Sequence, residues 1–118
     1  MKLSRQYHLE KVPPEPQRDI FLSRNQSYHG ATFATLALSG HIPRQARYKP
    51  FMLPNMRKTL PCNSYRDQGV DESDDQYAER LVCKLEEDIL AIGKDRVAAF
   101  VVETIGGAVI LSISPVYD

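Results

Sequence analysis

Ser73-Asp74-Asp75-Gln76-Tyr77-Ala78-Glu79-Arg80-Leu81-Val82-Cys83-Lys84-Leu85-Glu86-Glu87-Asp88-Ile89-Leu90-Ala91-Ile92-Gly93, then three polar residues, then Val97-Ala98-Ala99-Phe100-Val101-Val102-Glu103, is the stretch that decides the fold class. Ser73 and Gln76 have the spacing of a capping box, in which the serine oxygen accepts from a free helix amide and the glutamine reaches back. Asp74 and Asp75 put negative charge where the helix dipole favours it. Tyr77, Leu81, Leu85 and Ile89 recur every fourth residue, with Val82 and Ile92 beside them, so helix 74–92 carries one apolar stripe to lay on a core. Gly93 ends it. The run 97–102 is apolar without alternation, which predicts a central strand buried on both faces in a parallel sheet. Glu103 then stands at the carboxyl end of that strand, the edge where open α/β sheets bind ligands.

Working outward, Arg18 to Ser23 reads as a second strand and Gly30 to Ser39 as a buried helix. Ala31, Phe33, Ala34, Ala37 and Leu38 are expected to face packing neighbours, and Gly40 to end the helix. Together these units give an α/β pattern with a parallel sheet. Residues 3–11 read as a short helix with Leu3, Tyr7 and Leu9 on its packing side, stopped by Val12-Pro13-Pro14-Glu15-Pro16. Residues 41–72 are irregular, with four prolines and a basic scatter, and Asn55 to Leu60 reads as a short strand inside them. After Glu103 come Gly106-Gly107, an apolar run and Pro115. No internal repeat is visible.

Between the strand 18–23 and the helix 30–39 lies Tyr28-His29-Gly30: an aromatic and an imidazole at a turn, then a glycine that lets a ligand approach the backbone. Tyr28 and His29 follow a strand and Glu103 ends one, so all three are expected at one sheet edge. An aromatic there stacks on a flat ring, and a carboxylate pairs with a cationic group. The alternative stands beside it, that these are loop and strand-end residues with ordinary hydrogen bonds.

Composition narrows the function classes. A chain of 118 residues has the size of one domain. Fifteen basic and fifteen acidic side chains cancel, so no global field draws nucleic acid or an anionic membrane. No apolar run approaches a membrane span or a signal peptide. Cys62 and Cys83 are too few for a disulfide scaffold and read as free thiols in a reducing compartment, which makes the expected location cytoplasmic. His8, His29 and His41 lack metal-ligand spacing with the cysteines, so no metal site is expected. Gly93-Lys94 lacks the strand, second glycine and following hydroxyl of a phosphate loop. Nothing in the sequence joins Cys62 to His29 as a nucleophile pair.

Five motifs in fixed order carry a resemblance: Lys2-Leu3-Ser4-Arg5-Gln6-Tyr7-His8, Ser27-Tyr28-His29-Gly30-Ala31-Thr32, Ser39-Gly40-His41, Pro61-Cys62-Asn63-Ser64-Tyr65-Arg66 and Ala98-Ala99-Phe100-Val101-Val102-Glu103. In this order the chain resembles the middle of the large domain of class III aminotransferases, which depend on pyridoxal 5′-phosphate (PLP). The resemblance implies a partial fold type I large domain, with αβα layers around a mostly parallel sheet, in a dimeric family. It also implies that residues 1–118 form a single, incomplete segment. In this resemblance Tyr28 stacks on the pyridine ring, His29 and Gly30 shape the wall beside it, and Glu103 lies near the cofactor or the substrate amine. Thr104 departs from the proline usual after that glutamate, which leaves the following turn open.

The family's phosphate cup is expected just before residue 1, and its pyridine-nitrogen aspartate and cofactor-carrying lysine beyond residue 118. None of Lys2, Lys11, Lys49, Lys58, Lys84 and Lys94 reads as a substitute in an apolar setting. No residue is therefore expected to be catalytic. The expectation is a truncated aminotransferase-like protein, related to enzymes that transfer an amino group to a 2-oxo acid and inactive by itself. The alternatives are part of a longer working transaminase, an interaction module that pairs with itself or a full-length homologue, or an unrelated small α/β binding domain.

Overall fold

The computed structural model describes residues 1–106 and the backbone of 112–113. In chain order the elements are α1 (Lys2–Glu10), β1 (Ile20–Arg24), α2 (Phe33–Leu38), α3 (Ile42–Gln45), a 3₁₀ turn (Ala46–Phe51), β2 (Met56–Thr59), α4 (Ser64–Asp67), α5 (Asp74–Ile92), β3 (Val97–Val101), β4 (Ile105–Gly106) and β5 (Ser112–Ile113). The expected strand in 55–60 is β2. Gly107 and Pro115 lie outside the described residues.

The main sheet is parallel in the order β2-β1-β3, with Ser23 beside Lys58 on one side and beside Val101 on the other. Parallel strands run their carboxyl ends to one edge, so the segments leaving β1 and β3 emerge together. The expected central strand is corrected here: β1, not β3, is central. All five β1 residues are buried, Leu22 and Ser23 fully so. In β3 only Ala98 is buried. The apolar run 97–101 reads as doubly covered because composition reports how a strand is to be covered, not which strands of this chain cover it. The core between sheet and helix joins Phe21, Leu38 and Ala98.

α5 forms as its sequence dictates. Ser73 Oγ accepts from Gln76 N–H, Gln76 Oε1 accepts from Ser73 N–H, and Gly93 closes the helix at φ +100°. Tyr77 and Leu81 bury their side chains with Cys62, and Tyr77 Oη accepts the Asn63 N–H at 2.9 Å. Val82 stays 43% exposed at the margin of the stripe.

Two helix faces differ from expectation. On α1, Leu3 and Tyr7 are 80% and 62% exposed. The face that meets the sheet is polar: Ser4 Oγ donates to Ala98 O at 3.1 Å, and His8 Nε2 lies 2.9 Å from the same oxygen. Edge-strand carbonyls without a partner strand need donors, and these side chains supply them. Glu15 gathers Lys11, Arg18 and His8, and these bonds, Lys11 first, hold its carboxyl at about 2. In α2 the helix begins at Phe33, because Thr32 is its cap and Gly30 sits at φ +127°. Leu36, Ala37 and Leu38 are its buried residues, whereas Ala31 and Phe33 are exposed.

Candidate functional site

β1 ends in a tight turn. Ser27 Oγ donates to Arg24 O at 2.7 Å, and Gln26 N–H donates to Gly40 O at 3.2 Å. A Cβ on Gly40 would stand 2.5 Å from Gln26 N, so this glycine does more than stop a helix: it lets two chain segments touch. The turn delivers Tyr28, His29 and Gly30 to the carboxyl edge of the sheet, where Glu103 leaves β3.

There the expected residues meet. Tyr28 N–H donates to Glu103 Oε2 at 3.0 Å across 75 residues of chain. His29 N–H donates to Ser39 Oγ at 2.8 Å, and Ser39 Oγ donates to Thr35 O at 2.8 Å. Both backbone amides of the motif are thus held by side chains, which fixes the main chain from which the two rings project. His29 Nε2 is buried without a hydrogen-bond partner among the described residues. Burial lowers the pKa of this imidazole below 6.5, with the Glu103 charge opposing and the Lys58 charge assisting, so the ring is neutral at pH 7.

Lys58 is the residue that sequence reasoning missed. It lies on β2, half-buried, and donates to Ser23 Oγ at 2.8 Å, to Ala37 O at 3.0 Å and to Leu38 O. Its three donors close the carboxyl end of α2 onto the sheet. Burial pulls its pKa from 10.5 down to about 8. The expectation that no lysine stands in a desolvated setting is therefore corrected. The strand 55–60 was legible, but the burial of Lys58 was not, because it depends on the pairing of Lys58 with Ser23 on the neighbouring strand.

Cys62 sits in the cluster under α5, while His29 bonds to Ser39, so the two form no nucleophile pair. Among the described residues no group of histidines, cysteines and carboxylates is arranged to hold a metal ion. No described helix is long and apolar enough to cross a membrane.

The geometry can be set beside known proteins. The family profile for class III aminotransferases matches residues 1–114. The chain belongs to the class III aminotransferase family. An aminotransferase of Gibberella zeae is 35% identical over 114 residues, covering 96% of this chain and 22% of the relative. The hypotaurine/taurine–pyruvate aminotransferase of Paracoccus denitrificans is 45% identical over 92 residues, 75% of this chain and 19% of the relative. The omega transaminase of Pseudomonas jessenii in complex with PMP superposes with a TM-score of 0.84 at 32% identity, covering 97% of this chain and 24% of that one. This aminotransferase segment thus spans about a quarter of the length of the proteins it matches, and its fold is part of a fold type I large domain.

Proposed function

We propose that this segment supplies one wall of a class III PLP site, with Tyr28, His29, Gly30 and Glu103 as its cofactor-facing residues. The observation that carries the reading is the 3.0 Å bond from Tyr28 N–H to Glu103 Oε2, which joins two family motifs 75 residues apart at the ligand-binding edge. Two features of this chain fit the cofactor. Among the described residues the buried His29 Nε2 has no partner and leaves a polar atom to satisfy, and Gly30, at a positive φ, puts no side chain into the turn beside it. When bound, PLP supplies the electron sink for moving an amino group from an amine to a 2-oxo acid. Tyr28 offers a ring face for stacking. Glu103 acts through the Tyr28 backbone as well as through its charge. His29 stays neutral and shapes the wall.

Lys58 is no replacement for the family's cofactor-carrying lysine, because Ser23, Ala37 and Leu38 use its donors. The segment by itself therefore holds PLP reversibly and does not transfer amino groups. The free thiols Cys62 and Cys83 support a reducing, cytoplasmic setting. Calorimetric titration of the chain with PLP tests this: saturable binding is expected, abolished by Tyr28→Ala. Binding that survives Tyr28→Ala overturns the assignment, and amino transfer by the chain alone overturns its inactivity.

The second reading is pairing with another copy or a full-length homologue. It is favoured by the described edges of β2 and β3 that carry no strand, and by a largely apolar groove of about 480 Å³ where Met1, Leu9, Phe21, Leu53 and Met56 meet. Sedimentation of the chain alone and mixed with a full-length homologue tests it, and the absence of both self-association and a heterodimer at micromolar concentration would count heavily against it.

A further inference from the structure

α2 is a helix of six residues, too short to hold itself together in water. Its last carbonyls have no partner inside the helix. Ser39 leaves it in extended backbone, at φ −65° and ψ 152°, and not through the left-handed turn that ties such carbonyls to the chain beyond. Side chains from three other elements take those carbonyls up. From α3, Gln45 Nε2 donates to Leu36 O at 2.8 Å and to Ser39 O. From β1, Ser23 Oγ donates to Leu38 O at 2.5 Å. From β2, Lys58 Nζ donates to Ala37 O and Leu38 O, and its third N–H meets Ser23 Oγ. An ammonium group has three donors and no acceptor, and here all three are used. The carbonyl dipoles at this end of a helix also favour a cation.

The chain that follows these carbonyls is the abutment of the Tyr28 turn. Gly40 N–H donates to Ser27 O at 2.9 Å, and Gly40 O accepts from Gln26 N–H. Ser39 Oγ, fully buried, accepts from His29 N–H and donates to Thr35 O, which ties the motif to the same helix end. Ser39 and Gly40 lie one and two residues past the Leu38 carbonyl that Lys58 holds. Tyr28 has supports of its own: its amide is on Glu103, and the Arg44 guanidinium lies 4.9 Å over its ring. The hold of Lys58 therefore falls on His29. We infer that Lys58 is a positioning residue for the cofactor wall: from β2 it anchors the end of α2, and through Ser39 it sets the His29 main chain at the edge of the sheet. This rests on the reading of His29 as part of that wall and deepens it. Lys58 also acts on the ring through space. Burial is the larger cause of the neutral imidazole, and the Lys58 charge assists it against Glu103. A neutral ring can meet either a donor or an acceptor of a ligand at Nε2, whereas an imidazolium only donates.

The test is amide hydrogen exchange and histidine-ring titration by NMR on the ¹⁵N-labelled 118-residue chain, in Lys58→Met, Ser39→Ala, the double variant and Lys58→Arg. Lys58→Met keeps the length of the side chain and removes its donors. It is expected to speed exchange of the His29 amide about five- to tenfold. Ser39→Ala removes the acceptor itself and should do as much or more. The two act in series, so the double variant should match Ser39→Ala, whereas independent effects would multiply. The His29 ring should titrate at higher pH in Lys58→Met and as in the wild type in Lys58→Arg, which keeps the charge. A general loosening of the fold would not separate those two variants. If Lys58→Met does not fold, Lys58→Gln, which keeps two donors on a shorter stem, takes its place with the same expectations. An unchanged His29 amide, multiplying effects in the double variant, or equal ring midpoints in the two Lys58 variants would overturn the inference. Calorimetric titration with PLP carries the functional arm, where Lys58→Met should weaken binding about fivefold. If Tyr28→Ala leaves PLP binding intact, the cofactor reading falls, and the hold of Lys58 on His29 is judged by exchange and titration alone. If Tyr28→Ala abolishes binding and Lys58→Met leaves it unchanged, the positioning role falls and the cofactor reading stands.

Discussion

Replacing Gly30 by alanine tests the turn that aims Tyr28 and His29. Gly30 has φ +127°, a region that residues with a Cβ rarely occupy, and backbone held there costs about 1–3 kcal/mol. A second cost is steric. The new Cβ would stand 2.7 Å from Thr35 Oγ1 and 3.1 Å from Thr35 Cβ. Rotation of Thr35 moves the hydroxyl, which also bonds Thr32, but leaves its Cβ in place. Gly30→Ala is therefore expected to destabilise the chain by about 2–4 kcal/mol, the two costs together.

Thr35→Ala separates them, because it removes Oγ1 and keeps Cβ. In urea unfolding of wild type, both single variants and the double variant, the coupling should be about 0.5–1 kcal/mol, with at least ~1 kcal/mol of the Gly30→Ala loss remaining. The residual is the backbone cost that no neighbour can relieve. Complete rescue by Thr35→Ala would refute the conformational part of this reasoning. A Gly30→Ala loss under about 0.5 kcal/mol would refute both parts.

Two further outcomes follow from burial. The Lys58 amine has a pKa near 8 when folded against 10.5 when unfolded, so its contribution to stability is present above 10.5 and is lost as pH falls to 8. Unscreened, that shift equals about 3 kcal/mol; with its partial solvent contact about 1 kcal/mol remains. The stability of wild type relative to Lys58→Met should rise by that amount between pH 8 and 10.5, and a flat difference would mean that the amine is fully hydrated. Leu22 is fully buried in the central strand, so Leu22→Ala should cost about 2–5 kcal/mol in denaturant unfolding. A loss below about 1 kcal/mol would mean that β1 is not the core strand.

Much of the site was legible because its signals are local. Tyr28, His29 and Glu103 could be placed at one edge by counting which strand each follows, since parallel strands end on the same side. The bond from Tyr28 N–H to Glu103 was not legible, because it depends on β3 lying beside β1, a pairing between segments about 75 residues apart. Arg44 was visible only as part of a basic scatter. Its place over the Tyr28 ring needs the turn from α2 into α3, which no periodicity in 41–51 announces.

The sequence by itself determined α5, through its capping box, its four-residue apolar period and Gly93. It also determined the α/β class, through two apolar strands alternating with helices. These choices rest on interactions within a few residues, so the local chain suffices to fix them. The tertiary structure alone decided that β1 is central, that α1 meets the sheet with Ser4 and His8 and leaves Leu3 and Tyr7 outward, and that Lys58 closes α2 from a neighbouring strand. Those choices are set by which distant groups each strand and helix end must satisfy, and that competition is settled only when the segments are packed together.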